Sequence, residues 1–411
     1  MPQNDIRPCP FGLFGRLFQW ISFFTLLYAQ TLCAQQWVQI ADFPSTARDD
    51  GASFMIDNKA YCGTGLQTGF VAGGDLYALD LENESWLPIA QLPSGEERQY
   101  ASGFAAQGKG FLFGGIRENT YLNNLWMYDP IANSWMAKAA LPGPGRMGSG
   151  CFTLGDTAYI IGGRTANALS IDELWAYSIS GDTWHYKGLL PFGARWRASA
   201  CSHQGLGYLA FGVDGDNRYR NELYAFNQET QQWQALTEFP GPGRAYVGLQ
   251  SFGNDLLAVC GLDSSMNSYN DLWRFSPNTS SWQQLGALPA TQRRGGMVFT
   301  SQTALYYTTG IDENNVRLRE SWRISEPTAL PITAVNHEIK LSPNPCESFL
   351  EVKGIHGQMS FTLTTASGHC IMKGTIEPHG SMIDVSHLAK GIYYVHFVSD
   401  NSSEMQKFIK R

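Results

Sequence analysis

Tryptophan recurs in this chain at a fixed stride: Trp37, Trp86, Trp135, Trp184, Trp233 and Trp282 each follow the last by 49 residues. The same stride joins Pro44, Pro93, Pro142, Pro191, Pro240 and Pro289, each preceded by Leu or Phe. It also joins Gly65, Gly114, Gly163, Gly212, Gly261 and Gly310, and the aromatics Tyr77, Trp126, Trp175, Tyr224, Trp273 and Trp322. The segment LPGPGR at 141–146 therefore returns as FPGPGR at 239–244, two units later. Periodicity on this scale means that one supersecondary unit is repeated and stacked, because a single unit cannot bury its own apolar face.

Each copy divides into four short strands. In the second copy YASGFAAQ and GKGFLFGG alternate aromatic and small residues, LWMYD follows a loop, and Trp135 opens the last strand. Alternation between Gly, Asn and Asp turns is what half-buried strands require. Four-strand units of this length stack radially as propeller blades. With 43 Gly, 18 Tyr and only 16% charged residues, the composition suits a turn-rich β protein. The expected fold is all-β, a six-bladed β-propeller over 35–326. No seventh Trp strand follows Trp282, so the N-terminal strand at Trp37 is expected to complete the last blade and protect its edge.

The strand-end Gly114-Gly115 and Gly162-Gly163, the third-strand aromatic, the fourth-strand Trp and the Arg before the first strand resemble Kelch repeats. The pattern departs from that family at GTG (63–65), GVD (212–214), GLD (261–263) and GID (310–312).

The flanks read differently. Residues 1–34 have the form of a secretory signal, with Arg7 and Arg16 ahead of an apolar run too short to span a bilayer and small residues near Ala34. Beyond a linker at 327–340, residues 341–411 carry LSPNPCESFLEV, GHCIMKG, IDVSHLAKGIYYVHF and a terminal KFIKR. These blocks resemble the C-terminal sorting domain of type IX secretion substrates. The resemblance implies a small β-sandwich read by outer-membrane machinery, and a product that is secreted or on the cell surface. No CxxC pair supports a zinc site; buried thiols or a Cys346 to Cys370 bridge both remain open. A net charge of −7 argues against nucleic acid as a partner. A monomer without cofactor, metal or transmembrane segment in its mature form is expected.

Candidate chemistry lies at the strand entrances. Arg48, Arg98, Arg146, Arg195, Arg244 and Arg293 recur there, and Asp75, Asn124, Glu173, Glu222, Asp271 and Glu320 recur two strands later. The two sets can meet, either as a cationic mouth or as structural pairs that fix loops. Trp196 belongs to no periodic set and sits between Arg195 and Arg197, while the loop of the same unit adds Asp216, Arg218 and Tyr219. An aromatic platform with charged neighbours suits sugar stacking or a protein anchor; the alternative is a Trp that fills a gap between blades. Asp214, Asp263 and Asp312 suit turn capping better than calcium, since they belong to separate blades.

Copper radical oxidases of the galactose oxidase type share the Kelch architecture, but that resemblance implies converging histidines. The propeller span has only His185 and His203, both in one copy. No catalytic residue is assigned. The expected function is an extracellular binding module for a protein or glycan. The competing reading is a sugar-active enzyme, such as the Kelch-type sialic-acid mutarotases.

Overall fold

The computed structural model describes residues 37–325, 339–353, 358–365, 370–377, 381–399 and 402–411. The expected signal segment and nearly all of the expected linker lie outside them. The chain divides into two compact units, Met1–Pro327 and Thr328–Arg411. Among the described residues there is no helix, hence none long and apolar enough to cross a membrane.

The first unit holds five antiparallel four-stranded sheets and a larger one in which Gly248–Phe252, Asp255–Asp263, Ser268–Ser276 and Ser281–Ala287 follow the same order. One runs Ala52–Ile56, Lys59–Gly63, Leu76–Asp80 and Ser85–Pro88, each strand beside its sequence neighbour. In the last sheet the outer place beside Ser321–Ser325 is taken by Trp37–Ile40, with Trp37 opposite Ile324 and Ile40 opposite Ser321. The innermost strands pack side by side: Ser102 Oγ donates to the Ser149 carbonyl at 2.8 Å, and Ser53 Oγ to the Val298 carbonyl at 3.4 Å.

The sequence repeat has a hydrogen-bond counterpart. The Leu or Phe before each periodic Pro donates its N–H to a carbonyl at the entrance to the third strand: Leu92 to Gly74, Leu141 to Asn123, Leu190 to Asp172 and Phe239 to Asn221, at 2.7–2.9 Å. The side-chain amides of Asn123, Asn221 and Asn270 return the bond to the carbonyls of Leu141, Phe239 and Leu288. Phe43 makes the same backbone bond to Arg319 at 2.7 Å, across the two ends of the repeat array. The outer-strand indoles add a second rule: Trp86, Trp135, Trp184 and Trp282 donate Nε1 to the carbonyls of Ala41, Ala90, Ala139 and Thr237.

The periodic Gly follows from geometry. Gly65, Gly163 and Gly310 have φ of 88°, 107° and 104°, and their N–H groups reach the carbonyls of Arg98, Arg195 and Arg48 at 2.8–2.9 Å. A Cβ at Gly65 would lie 2.5 Å from the Asp49 carbonyl oxygen. The lost second Gly is tolerated because Thr64, Phe211, Cys260 and Thr309 accept milder φ of 57–65° at the preceding position.

Apolar side chains fill each gap between sheets. Phe54, Tyr61 and Leu76 pack on Leu112 and Tyr128 of the next sheet, and Phe299 and Tyr306 pack on Ala60, Cys62 and Leu79. Neither face of a sheet could be covered without its neighbour, and this burial drives the stacking.

The second unit is a small sandwich. A three-stranded sheet of Lys340–Ser342, Phe349–Lys353 and Ser381–Asp384 faces a four-stranded sheet of Met359–Thr365, Cys370–Ile376, Gly391–Ser399 and Ser402–Lys410. Leu350, Val352, Leu363, Val385, Val395, Phe397 and Phe408 form its core. The SPNPC segment is tied to the last strand: Asn344 Nδ2 donates to the Lys407 carbonyl and the Cys346 N–H to that of Ile409, both at 2.9 Å. Cys346 is a free, buried thiol; the Cys370 side chain lies outside what is described.

Candidate functional site

The periodic arginines are buried. Arg48, Arg98, Arg146 and Arg293 have no solvent exposure, and Arg195 and Arg244 have 3% each. Each reaches the acidic or amide residue two strands on. Arg48 grips Asp75 with two bonds of 2.8 Å, and Arg244 grips Asp271 at 2.6 and 2.8 Å. Arg146 meets Glu173 at 2.7 Å, Arg293 meets Glu320 at 2.8 Å and Arg195 lies 3.6 Å from Glu222. Arg98 bonds Asn124 at 2.8 Å and takes its charge partner from Glu96. Burial alone would raise the Asp75 carboxyl, but the bonds from Arg48 and Ser45 and the Arg48 charge outweigh it and hold Asp75 below the usual carboxylate range. Burial pushes the Arg98 guanidinium down to about 10 against the pull of Glu96.

Two residues beyond each of these arginines stands a different set: Asp50, Tyr100, Gly148, Arg197, Tyr246 and Gly295. All six have left-handed backbone, with φ between 53° and 65°. Their backbones are joined from sheet to sheet: Asp50 N–H to Gly295, Tyr100 to Asp50, Gly148 to Tyr100 and Arg197 to Gly148, at 2.7–2.9 Å. This linkage brings together side chains far apart in sequence. They wall a cavity of about 170 Å³ at the arginine end of the inner strands. Gly295 lets the chain pass close to the Asp50 carboxyl: a Cβ there would lie 2.8 Å from Asp50 Oδ1.

Arg197 is the centre of this cavity. Its guanidinium carbon lies 3.8 Å from the Trp196 ring, 3.9 Å from that of Tyr246 and 4.8 Å from that of Tyr100, a cation held by aromatic faces. Nη2 donates to the Tyr100 hydroxyl at 2.8 Å, and Nε is buried without a hydrogen-bond partner. Asp50 is 7% exposed. Burial raises its carboxyl to about 8, the neighbouring Asp49 adds to this, and the Arg197 charge and a Tyr100 hydrogen bond only partly oppose it. Asp49 has its own partner, Arg317 Nε at 2.6 Å. Burial and Asp50 push the Tyr100 hydroxyl well above its ordinary value. Burial thus disfavours the charged forms of Asp50 and Tyr100 in the cavity that Arg197 lines.

Of the candidates named from the sequence, Arg197 lines this cavity. Trp196 is 5% exposed and does not present a platform to solvent; it lies under Arg197 and Arg164, packed with Met147, Val213 and Ala245. Its entry beside the buried Arg195 turns the ring inward. Tyr219 packs against the same cluster. Asp216 and Arg218 are 70% and 67% exposed and pair with each other at 3.0 Å. The ring arginines stand behind the wall, engaged with their carboxylates. Asp214, Asp263 and Asp312 each accept two backbone N–H bonds within their own loop at 2.8–2.9 Å. His185 lies on the outer strand of one sheet, and His203, on the inner strand of the next, bonds Ser251. Asp50, Tyr100 and Tyr246 escaped sequence reasoning. Their signal was a column in which the repeat breaks down, next to one in which it holds.

A second cavity, of about 220 Å³, opens at the other end of the inner strands between Ser53, Gly103, Cys151, Ala200, Gln250 and Val298. No charged side chain lines it.

Residues 21–204 match the KLHDC2/KLHL20/DRC7 Kelch-repeats domain, and residues 340–411 match the secretion system C-terminal sorting domain. N-acetylneuraminate epimerase of Haemophilus influenzae is 35% identical over 121 residues, 28% of this chain and 30% of the relative. Its namesake in Yersinia enterocolitica is 33% identical over 153 residues, 34% and 38% of the two chains. Human Kelch-like protein 35 is 27% identical over 109 residues, 26% and 18%. The chain thus spans about a third of the length of the epimerases it matches. The solved structure of YjhT covers 71% of this chain and 98% of its own, with a TM-score of 0.62 at 18% identity, a likeness of fold. Repeat, sheets and matched models agree: the chain is a Kelch-repeat β-propeller followed by a C-terminal secretion sorting domain.

Proposed function

We propose that this protein is exported to the cell surface or beyond and binds an acidic sugar, with the sugar's carboxylate held in the cavity at the arginine end of the propeller. The observation that carries the reading is Arg197: a cation fixed between aromatic rings at the cavity wall, beside a carboxyl that burial pushes up. A guanidinium so placed favours an incoming carboxylate by charge-assisted hydrogen bonds, and Tyr246 and Tyr100 offer rings to a sugar face. The cavity is small for a ligand pocket, so it takes a carboxylate and the carbon beside it rather than a chain. The names of the epimerase relatives point to N-acetylneuraminate as the first sugar to test.

The test is calorimetric titration of the purified protein with N-acetylneuraminate and with a neutral hexose. Saturable binding of the acid alone is expected, weakened at least about tenfold in Arg197→Gln, the loss of one charge-assisted contact. Equal affinity in the variant, or no binding of any sugar acid, would overturn the reading. A second reading, turnover of the sugar rather than retention, is favoured by the same relatives and by a carboxyl that titrates near neutrality, the range that acid-base catalysis uses.

A further inference from the structure

We propose that Ser251 and His203 form a nucleophile and base pair at the uncharged cavity on the far end of the inner strands, and that they cleave a short-chain, uncharged acyl ester there.

His203 is out of character with its place. The innermost strands of four other sheets end on Ile56, Ala106, Leu154 and Phe252, apolar residues that pack between sheets. The strand Ser199–His203 ends instead on an imidazole that is 4% exposed. Its Nδ1 lies 2.8 Å from Ser251 Oγ, and its Nε2 is buried without a hydrogen-bond partner. A ring with one nitrogen left unsatisfied is costlier in that position than the Leu or Phe of its counterparts, so packing does not account for it. Ser251 stands on the neighbouring inner strand, Gly248–Phe252. It is half-buried and lines the cavity of about 220 Å³. The hydroxyl thus meets the cavity, and the ring stands behind it between the sheets.

Nucleophilic catalysis uses these parts in this order, a hydroxyl in the open space and a base within hydrogen-bonding reach of it. Burial pushes His203 below the ordinary imidazole value, against the Asn254 backbone and the Asp255 charge, which favours the neutral ring, the form that accepts a proton. Tyr208 meets the ring edge-on, with centroids 5.9 Å apart. Thr153, on the cavity wall, has a buried hydroxyl without a partner, a donor left open for charge that develops on a carbonyl oxygen. With no charged side chain in the lining, nothing there would offset the desolvation of a charged substrate. The volume is below that of an ordinary ligand pocket, so the acyl group is short.

In the reaction Ser251 Oγ bonds to the ester carbonyl carbon while its proton passes to His203 Nδ1. The bond from that carbon to the alkoxy oxygen breaks, and the proton on Nδ1 leaves with the alcohol. Water then gives a proton to Nδ1 as its oxygen attacks the acyl carbon. The bond to Ser251 breaks, the proton returns to Oγ, and the acid departs. Ester and water become acid and alcohol, with no redox partner consumed.

The experiment uses the intact chain, p-nitrophenyl acetate as the ester and a fluorophosphonate as a label for an activated serine. The wild type should release p-nitrophenol above the buffer rate and carry the label on Ser251, located by peptide mass spectrometry. Ser251→Ala should lose both. His203→Phe, the residue type that ends the neighbouring strand, should keep its melting temperature and lose at least about a hundredfold of the acceleration. His203→Gln should lose a similar factor, so the result does not depend on how one variant packs. A label on another residue or on none, or full acceleration in Ser251→Ala, overturns the assignment and leaves the Ser251 to His203 bond as a tie between sheets. Undiminished acceleration in either His203 variant overturns it too.

Discussion

Asp50 combines two unfavourable features. It is a left-handed non-glycine residue, with φ of 56°, and it is a buried carboxyl next to a second one. Residues kept at such a cost cluster where function demands them. The cost has a sign that can be measured. Unfolded, Asp50 titrates near the ordinary aspartate value of about 3.9; folded, it titrates near 8. Between those limits the folded protein binds the extra proton, so this residue's contribution to stability declines as pH rises through that window. Against burial, Asp75 and Glu222 are held below their ordinary values chiefly by arginine partners and Glu173 by the Trp175 indole and then Arg146, and their contributions are lost only as pH falls through those lowered values. Between pH 5 and pH 8 the melting temperature of the wild type should therefore fall, and Asp50→Asn should flatten the decline. Equal slopes in scanning calorimetry would contradict the raised carboxyl. The sequence could not reveal this residue by type, since Asp50 stands next to Asp49 and ordinary loops hold many such pairs. What makes it special is the company of Tyr100, Arg197 and Tyr246, brought from three other sheets by backbone bonds that no spacing rule within one unit expresses. Arg197 drew notice because it flanks the one unassigned Trp, and the burial of Trp196 among Met147, Val213 and Ala245 fits the gap-filling alternative rather than the platform.

Strands were far more legible than the site. Each repeated residue performs the same local act six times or nearly so, and the indoles, Leu-Pro turns and glycines therefore stand out by period alone. At the seam of the array the acts continue. Phe43 bonds Arg319, Gly310 bonds Arg48, and Trp37–Ile40 fills the outer place beside Ser321–Ser325. That strand covers the outer side of Ser321–Ser325, as the fourth strand does in the other sheets, and packs the half-buried Trp37 against the Leu305 and Ile324 cluster. Deletion of residues 35–42 should expose the edge, remove the indole and lower the melting temperature by about 10 °C or more, the consequence of several kcal/mol in a domain of this size. The change is read by thermal denaturation followed by circular dichroism, with aggregation of the deleted form as a further sign of a free edge. An unchanged melting temperature would mean that the pairing adds nothing to closure.

At the scale of the molecule, two units carry separate tasks. Among the described residues, the gaps between sheets of the propeller are filled from residues 37–324, and the sandwich has its own core of Leu350, Leu363, Val395 and Phe408. Neither core draws a residue from the other, so loss of the tail should leave the propeller folded. The match of residues 340–411 to a secretion sorting domain assigns the tail to export, and its tied SPNPC segment and terminal strand give it a fixed shape that a receptor can read. A chain ending at residue 334, expressed in a host with type IX secretion, should keep its melting temperature within about 2 °C and its affinity for N-acetylneuraminate, yet fail to reach the surface or the medium and accumulate inside the outer membrane. Fractionation with a surface-protease assay separates the outcomes. Normal delivery of the shortened chain would strip the tail of its role as an address. A collapse in melting temperature would instead show that the sandwich supports the propeller, a dependence that the independence of the two cores argues against.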